Sequence, residues 1–190
     1  MSTIQPDLFA TEPNWPEGFR YSESFLSATE EPEILAAMTS LPFKDFEFRG
    51  FVGKRRVLSF GWRYDFNGGS LHQTNPIPDF LLPIRDRAAE HAGLDRTKLE
   101  HALLTEYPPG AAIGWHKDRP VFGEVIGISL LASCIFRFRR KIGTRWERRA
   151  LTVEPRSIYL LTGPARRDWE HSIPAVNSLR YSITFRALSQ

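Results

Sequence analysis

The stretch Arg180-Tyr181-Ser182-Ile183-Thr184-Phe185-Arg186 alternates strictly. Arg180, Ser182, Thr184 and Arg186 fall on one side of an extended chain, and Tyr181, Ile183 and Phe185 on the other. The apolar side packs on a core. The other side carries two guanidinium groups and two hydroxyls, an unfavourable interior unless it meets an anion, and guanidinium forks suit carboxylates. An edge strand with its polar side in water satisfies the same pattern, so parity alone leaves both arrangements open.

Working outward from this strand, the chain beyond Leu99 reads as short β-type runs separated by Gly and Pro. These are His101–Tyr107, Val125–Leu131, Cys134–Arg139, Arg148–Val153, Ser157–Leu161 and Leu179–Ala187, spaced as in a sandwich or barrel. Within Cys134–Arg139, Phe136 and Phe138 share one face and Arg137 and Arg139 the other. Two helices precede these runs. Ser27-Ala28-Thr29-Glu30 has the spacing of a capping box, Ile34, Leu35 and Met38 follow at helical intervals, and Pro42 stops the run. Over Asp79–Ala92, Leu81, Ile84, Ala88 and Ala92 line one face, Pro83 is tolerated near the first turn, and Gly93 sits at the end. The expected fold is mainly β with supporting helices: a predominantly antiparallel double sheet whose mouth loops carry the chemistry.

At 190 residues the chain has room for one well-buried domain. The expected organisation is an extended arm over 1–20, holding Pro6, Pro13 and Pro16, then a helical N-terminal part over 21–98 and a β core over 99–190. No apolar run approaches the ~18 residues of a membrane span, and the opening residues lack the basic start and apolar stretch of a secretory signal. Cys134 is the single cysteine, so neither an internal disulfide nor a thiolate metal site is expected, and a cytoplasmic monomer is the expectation. The net charge of +3 is uneven. Residues 1–36 hold seven acids and one base, leaving 24 bases and 15 acids in the remainder. The densest run, Arg137 to Arg149, has seven bases and one acid, and suits either a solvated hairpin or a polyanion-binding face.

Five histidines are present. His91 and His101 read as packing or surface residues, and His72 lies in a glycine-rich stretch. Trp115-His116-Lys117-Asp118 places an imidazole and a carboxylate two residues apart on one face of an extended segment, able to share an ion. His171, 55 residues downstream, supplies a third donor from another strand. Two histidines and one carboxylate leave adjacent positions open on non-haem Fe(II), with zinc as the rival metal. Tyr107 and, by parity, Thr105 add hydroxyls beside this cluster; a core tyrosine with a satisfied hydroxyl is the alternative for Tyr107.

In order, Tyr107-x-Pro-Gly, Gly114-Trp115-His116-x-Asp118, Trp169-Glu170-His171-Ser172-Ile173-Pro174 and the Arg180–Arg186 strand resemble the AlkB family of Fe(II)- and 2-oxoglutarate-dependent dioxygenases, over about residues 56–187. The resemblance implies a double-stranded β-helix (jelly roll) core, with Fe(II) held by His116, Asp118 and His171, and 2-oxoglutarate and O2 as co-substrates. It further implies that Arg180 pairs with the distal carboxylate of 2-oxoglutarate, that Tyr107 hydrogen-bonds it, and that Arg186 supports its metal-proximal end. Thr105 and Ser182 stand where the family often has Asn, and retain hydrogen-bonding capacity.

The implied activity is oxidative demethylation of N-alkylated bases, releasing formaldehyde, succinate and CO2. The implied partners are alkylated single- or double-stranded DNA, or RNA including tRNA. A lid preceding the jelly roll is expected around Arg55 to Gly69: Trp62, Tyr64 and Phe66 would stack on an extruded base, and Arg63 would meet phosphate, the alternative being that these aromatics only pack a hairpin. Phe136 would line the pocket, with Arg137, Arg139 and Arg140 as a phosphate-facing rim. Pro120 stands where some DNA-repair members carry an acid, so their base preference does not transfer. An oxygenase acting on a protein side chain and a non-catalytic nucleic-acid-binding module are the alternatives.

Overall fold

The computed structural model describes residues 14–48, 50–65 and 68–189. Most of the expected N-terminal arm, and Phe66 of the expected lid, lie outside the described residues. In chain order the elements are β1 (Phe19–Ser22), α1 (Glu30–Thr39), β2 (Lys44–Phe48), β3 (Phe51–Phe60), β4 (Trp62–Tyr64), β5 (Leu71–Gln73), α2 (Leu82–Ala92), β6 (His101–Tyr107), β7 (Ile113–His116), β8 (Phe122–Leu130), β9 (Cys134–Ile142), β10 (Arg145–Val153), β11 (Ile158–Leu161), α3 (Gly163–Arg167), β12 (Glu170–Ile173) and β13 (Arg180–Leu188). Seven strands make one sheet in the order β1-β11-β8-β13-β6-β3-β2, and four make a second, β10-β9-β12-β7. β4 and β5 stand apart as a hairpin, and the pairings are antiparallel throughout.

β13, the strand with the strictly alternating sequence, lies at the centre of the larger sheet, between β8 and β6. The edge-strand alternative is therefore excluded. Tyr181, Ile183 and Phe185 join Ala102, Leu104 and Ile128 in a core completed by Ile34, Met38, Ile84 and Ala88 of the helices. The opposite side faces a second cluster, where Phe136, Phe138 and Ile173 of the smaller sheet meet Tyr107, Tyr159 and Leu161 of the larger. Arg180, Ser182 and Thr184 are buried there too.

The helices form for the reasons their sequences give. Glu30 N–H donates to Ser27 Oγ (3.1 Å) and Ser27 N–H to Glu30 Oε2 (2.8 Å), the reciprocal capping box. A 3-10 turn over Asp79–Leu81 precedes α2, and Gly93 ends it at φ 71°, with Leu94 N–H reaching Ala89 O (2.9 Å).

Three features add to the expected organisation. Residue 20 falls inside β1, which pairs along its length with β11, so the arm ends as a sheet strand. β3 pairs with β6, so the larger sheet runs unbroken across the expected division at 98/99. Finally, α3 is a third, five-residue helix that begins at Gly163 and Pro164, with no apolar periodicity to announce it.

Candidate active site

His116 ends β7 and lies opposite His171 of β12 in the sheet register, with ring centroids 4.3 Å apart. Asp118 follows in the loop, and its Oδ2 lies 3.6 Å from His171 Nε2. The three residues expected to share an ion are thus brought together by one strand pair and the loop leaving it. His116 Nδ1–H donates to Gly114 O (2.9 Å), which leaves Nε2 as the free lone pair. Phe136 stacks on the His171 ring at 5.4 Å and 14°. Burial and the neighbouring His116 push His171 down to about 3, so its imidazole is neutral, as metal ligation requires.

Burial alone would raise Asp118. The guanidinium charges of Arg186 and, less strongly, Arg166 overcome it and hold the carboxyl well below the usual carboxylate range. Arg186 grips one oxygen, with Nε 3.1 Å and Nη2 3.0 Å from Oδ1. The other, Oδ2, is buried without a hydrogen-bond partner among the described residues. An ionised, unpartnered oxygen in a dry interior is what a cation satisfies. Among the described residues no three His, Cys, Asp or Glu side chains already close around one point. The donor set, two imidazoles and one carboxylate, fits Fe(II).

The interior continues to Arg180, 1% exposed. Its Nε and Nη2 donate to Ser129 Oγ (3.2 and 3.0 Å), its guanidinium carbon lies 4.7 Å from the Tyr107 ring centroid, and its Nη1 has no hydrogen-bond partner among the described residues. A buried guanidinium with an unsatisfied N–H fits a carboxylate. Register sets Thr105, Ser182 and Ser129 side by side across β6, β13 and β8, a row of hydroxyls beside it. All three are buried. The residues thus fit 2-oxoglutarate as well as the metal.

Sequence reasoning missed four contributors. Ser129 anchors Arg180. Tyr159 lies over Gly127, where any Cβ would run into its ring, and burial raises its phenol above the ordinary value. His101, expected as an ordinary packing residue, is buried with Nδ1 3.4 Å from Arg186 Nη1. Arg166 of α3 donates to the carbonyls of Asp118 (3.2 Å), Arg119 (2.7 Å), Phe122 (2.6 Å) and Gly123 (2.9 Å), fixing the loop that carries Asp118. A cavity of about 620 Å³ adjoins this loop, lined by Asp118, Arg119, Pro120, Phe122 and Arg167 among others.

The expected substrate contacts divide. Tyr64 of the β4–β5 hairpin has its ring 5.1 Å from the guanidinium carbon of Arg119, beside Asp118, and Trp62 and Arg63 share that hairpin. Phe136 is 2% exposed, so it braces His171 instead of presenting a face to a base. The expected rim of Arg137, Arg139 and Arg140 is split by strand alternation. Arg137 and Arg139 point to the outer face of the smaller sheet, against Trp115, whereas Arg140 lies over buried Trp169 and pairs with Glu147.

The chain belongs to the 2OG-Fe(II) oxygenase superfamily, whose family model matches residues 18–186. Within it the chain is of the AlkB type. It is 28% identical to the "Alkylated DNA repair protein ALKBH8 homolog" of Arabidopsis thaliana over 197 aligned residues, 90% of this chain and 54% of that one. It is 26% identical to the "tRNA (carboxymethyluridine(34)-5-O)-methyltransferase ALKBH8" of Macaca fascicularis, covering 83% of this chain and 24% of that protein. The chain thus spans about half or less of the length of these relatives. The solved structure of OsALKBH1 superposes with a TM-score of 0.73 at 16% identity, covering 90% of this chain and 96% of that one, and shows the same jelly-roll fold. Fe(II), 2-oxoglutarate and O2 are accordingly the cofactor and co-substrates.

Proposed function

We propose that this oxygenase oxidatively demethylates N-alkylated bases in nucleic acid, with His116, Asp118 and His171 as the metal ligands and Arg180 as the anchor of 2-oxoglutarate. The observation that carries the site assignment is the pair of unsatisfied buried atoms, Asp118 Oδ2 and Arg180 Nη1, one fit for a cation and the other for a carboxylate. Nucleic acid as substrate is supported by the basic body of the chain, by the Tyr64 ring of the β4–β5 hairpin against Arg119, which follows Asp118 in the sequence, and by relatives named for DNA repair and tRNA modification.

Each residue has a task. Arg180 draws in the dicarboxylate and fixes its far end, Tyr107 and the Thr105–Ser182 row offer hydrogen bonds along it, and Tyr159 packs in the same interior cluster as Tyr107. Arg186 occupies Asp118 Oδ1, so the carboxylate offers one oxygen instead of two. Phe136 and the packed interior exclude water from the imidazoles. Bound Fe(II) with its co-substrates supplies the oxidation that turns an N-methyl group into an N-hydroxymethyl group, which leaves as formaldehyde. Tyr64 and Trp62 would stack on the base while this occurs.

The test is formaldehyde and succinate release from methylated single-stranded DNA, duplex DNA and tRNA. Stoichiometric release with at least one of them is expected. Absence of both products with all three overturns the proposal.

A further inference from the structure

The two sides of the smaller sheet have different chemistry. Its inner side presents His116, His171, Phe136 and Phe138 to the interior. Trp115 neighbours His116 along β7 and so projects from the opposite, outer side. There the Arg139 guanidinium carbon lies 4.5 Å from the Trp115 ring centroid and 4.3 Å from that of Trp146, and Arg137 lies 5.0 Å from Trp115. Register places Arg148 directly opposite Arg139, and Trp146 opposite Lys141. Trp146 is 38% exposed. Among the described residues, Glu170 is the one acid paired with this group, through Arg139.

Arg139 and Arg148 are like charges in directly opposed positions on a sheet, an arrangement that destabilises the pairing by itself. Lys141 lies on the same face one side-chain step from Arg139. Four cations and one acid, set among two indoles, form a surface whose internal repulsion a polyanion relieves and whose aromatic rings accept a sugar or base.

We propose that this outer face is a second contact surface for the sugar–phosphate backbone of a nucleic-acid strand, holding the part of the strand away from the reacting base. It rests on the reading of nucleic acid as substrate. The active-site mouth handles one nucleotide, and this face, on the far side of the strands that carry His116 and His171, supplies affinity that grows with strand length.

The test compares the full chain with a Lys141→Glu/Arg148→Glu variant, and with the milder Lys141→Gln/Arg148→Gln. Neither side chain takes part in the iron and 2-oxoglutarate site. Binding of an unmodified 30-nucleotide single strand is titrated across salt concentrations, and turnover of a methylated pentanucleotide is followed in parallel. The expected result is about tenfold or greater loss of 30-mer affinity for the charge reversal, a salt slope shallower by about 1.5, and a smaller loss for the Gln variant. Pentanucleotide turnover stays at the parent level. Unchanged 30-mer affinity and slope overturn the proposal, whether or not the face binds an acidic protein instead. A parallel fall in pentanucleotide turnover also overturns it, because the face would then belong to the mouth. A parent that binds the 30-mer through this face yet demethylates no oligonucleotide would sink the demethylase reading and leave this one standing.

Discussion

Arg186 holds Asp118 by one oxygen and leaves the other bare. Nε and Nη2 lie 3.1 and 3.0 Å from Oδ1, while Oδ2 has no hydrogen-bond partner among the described residues. The guanidinium therefore orients the carboxylate as well as ionising it. Arg186→Met is expected to weaken Fe(II) binding by roughly 10–100-fold, the usual effect of losing an outer-shell partner of a ligand. Metal titration followed by the change in melting temperature checks this, and wild-type affinity in the variant would show that Asp118 needs no such support.

Arg180 is a buried cation without a carboxylate partner among the described residues, so it has opposite effects on the free and co-substrate-bound protein. Arg180→Met removes an uncompensated charge, and the co-substrate-free protein is expected to be as stable as the parent or more so. The rise in melting temperature that 2-oxoglutarate gives the parent should vanish. Thermal melts with and without 2-oxoglutarate separate the two effects, and a retained shift would remove Arg180 from the co-substrate site.

Glu106 ties three strands together. Arg56 donates to both its oxygens (2.7 and 2.8 Å), and Tyr181 Oη to Oε2 (2.8 Å). The Arg56 hydrogen bonds, aided by Tyr181, hold Glu106 below the usual glutamate value. A lowered folded-state value contributes stability above the unfolded-state value of about 4.3, and that stability is lost as pH falls through the folded-state one. Glu106→Gln is expected to destabilise by about 1–2 kcal/mol at pH 7, allowing for the half-exposed Arg56. The gap to the parent should close in denaturant titrations taken progressively below about pH 4.3; a gap independent of pH would mean that the charge contributes nothing there.

Gly127 is required by its neighbour. Its backbone has ordinary strand geometry, and the constraint is the Tyr159 ring lying over it. Gly127→Ala is expected to cost about 1–3 kcal/mol by overpacking. Combining it with Tyr159→Leu should recover part of the loss, as a double-mutant cycle would measure.

Local pattern makes much of this molecule legible. The run His101–Tyr107 coincides with β6, the Ser27–Glu30 capping box forms as spaced, and parity in Arg180–Arg186 separates the two faces of β13. The cluster of His116, Asp118 and His171 is readable because two donors share one short motif and the third belongs to a distinctive ordered set. Contacts made only through topology are not readable. Gly127 and Tyr159 are 32 positions apart, and only the β8–β11 pairing brings them together. Arg166 looks like any helix arginine until the loop it satisfies folds beneath it. Composition groups Arg140 with Arg137 and Arg139, although its odd spacing from them places it on the other face.

The burial of β13 on both faces makes the strand intolerant of insertions and deletions. Deleting one residue near its start reverses the facing of every residue after the gap: arginines turn toward the helices and aromatic rings toward the dicarboxylate space. Core and chemistry are encoded in the same odd-even count, so such a deletion yields neither a folded inactive protein nor an active unstable one. A loop deletion leaves that count intact, and only there can the chain vary in length at little cost.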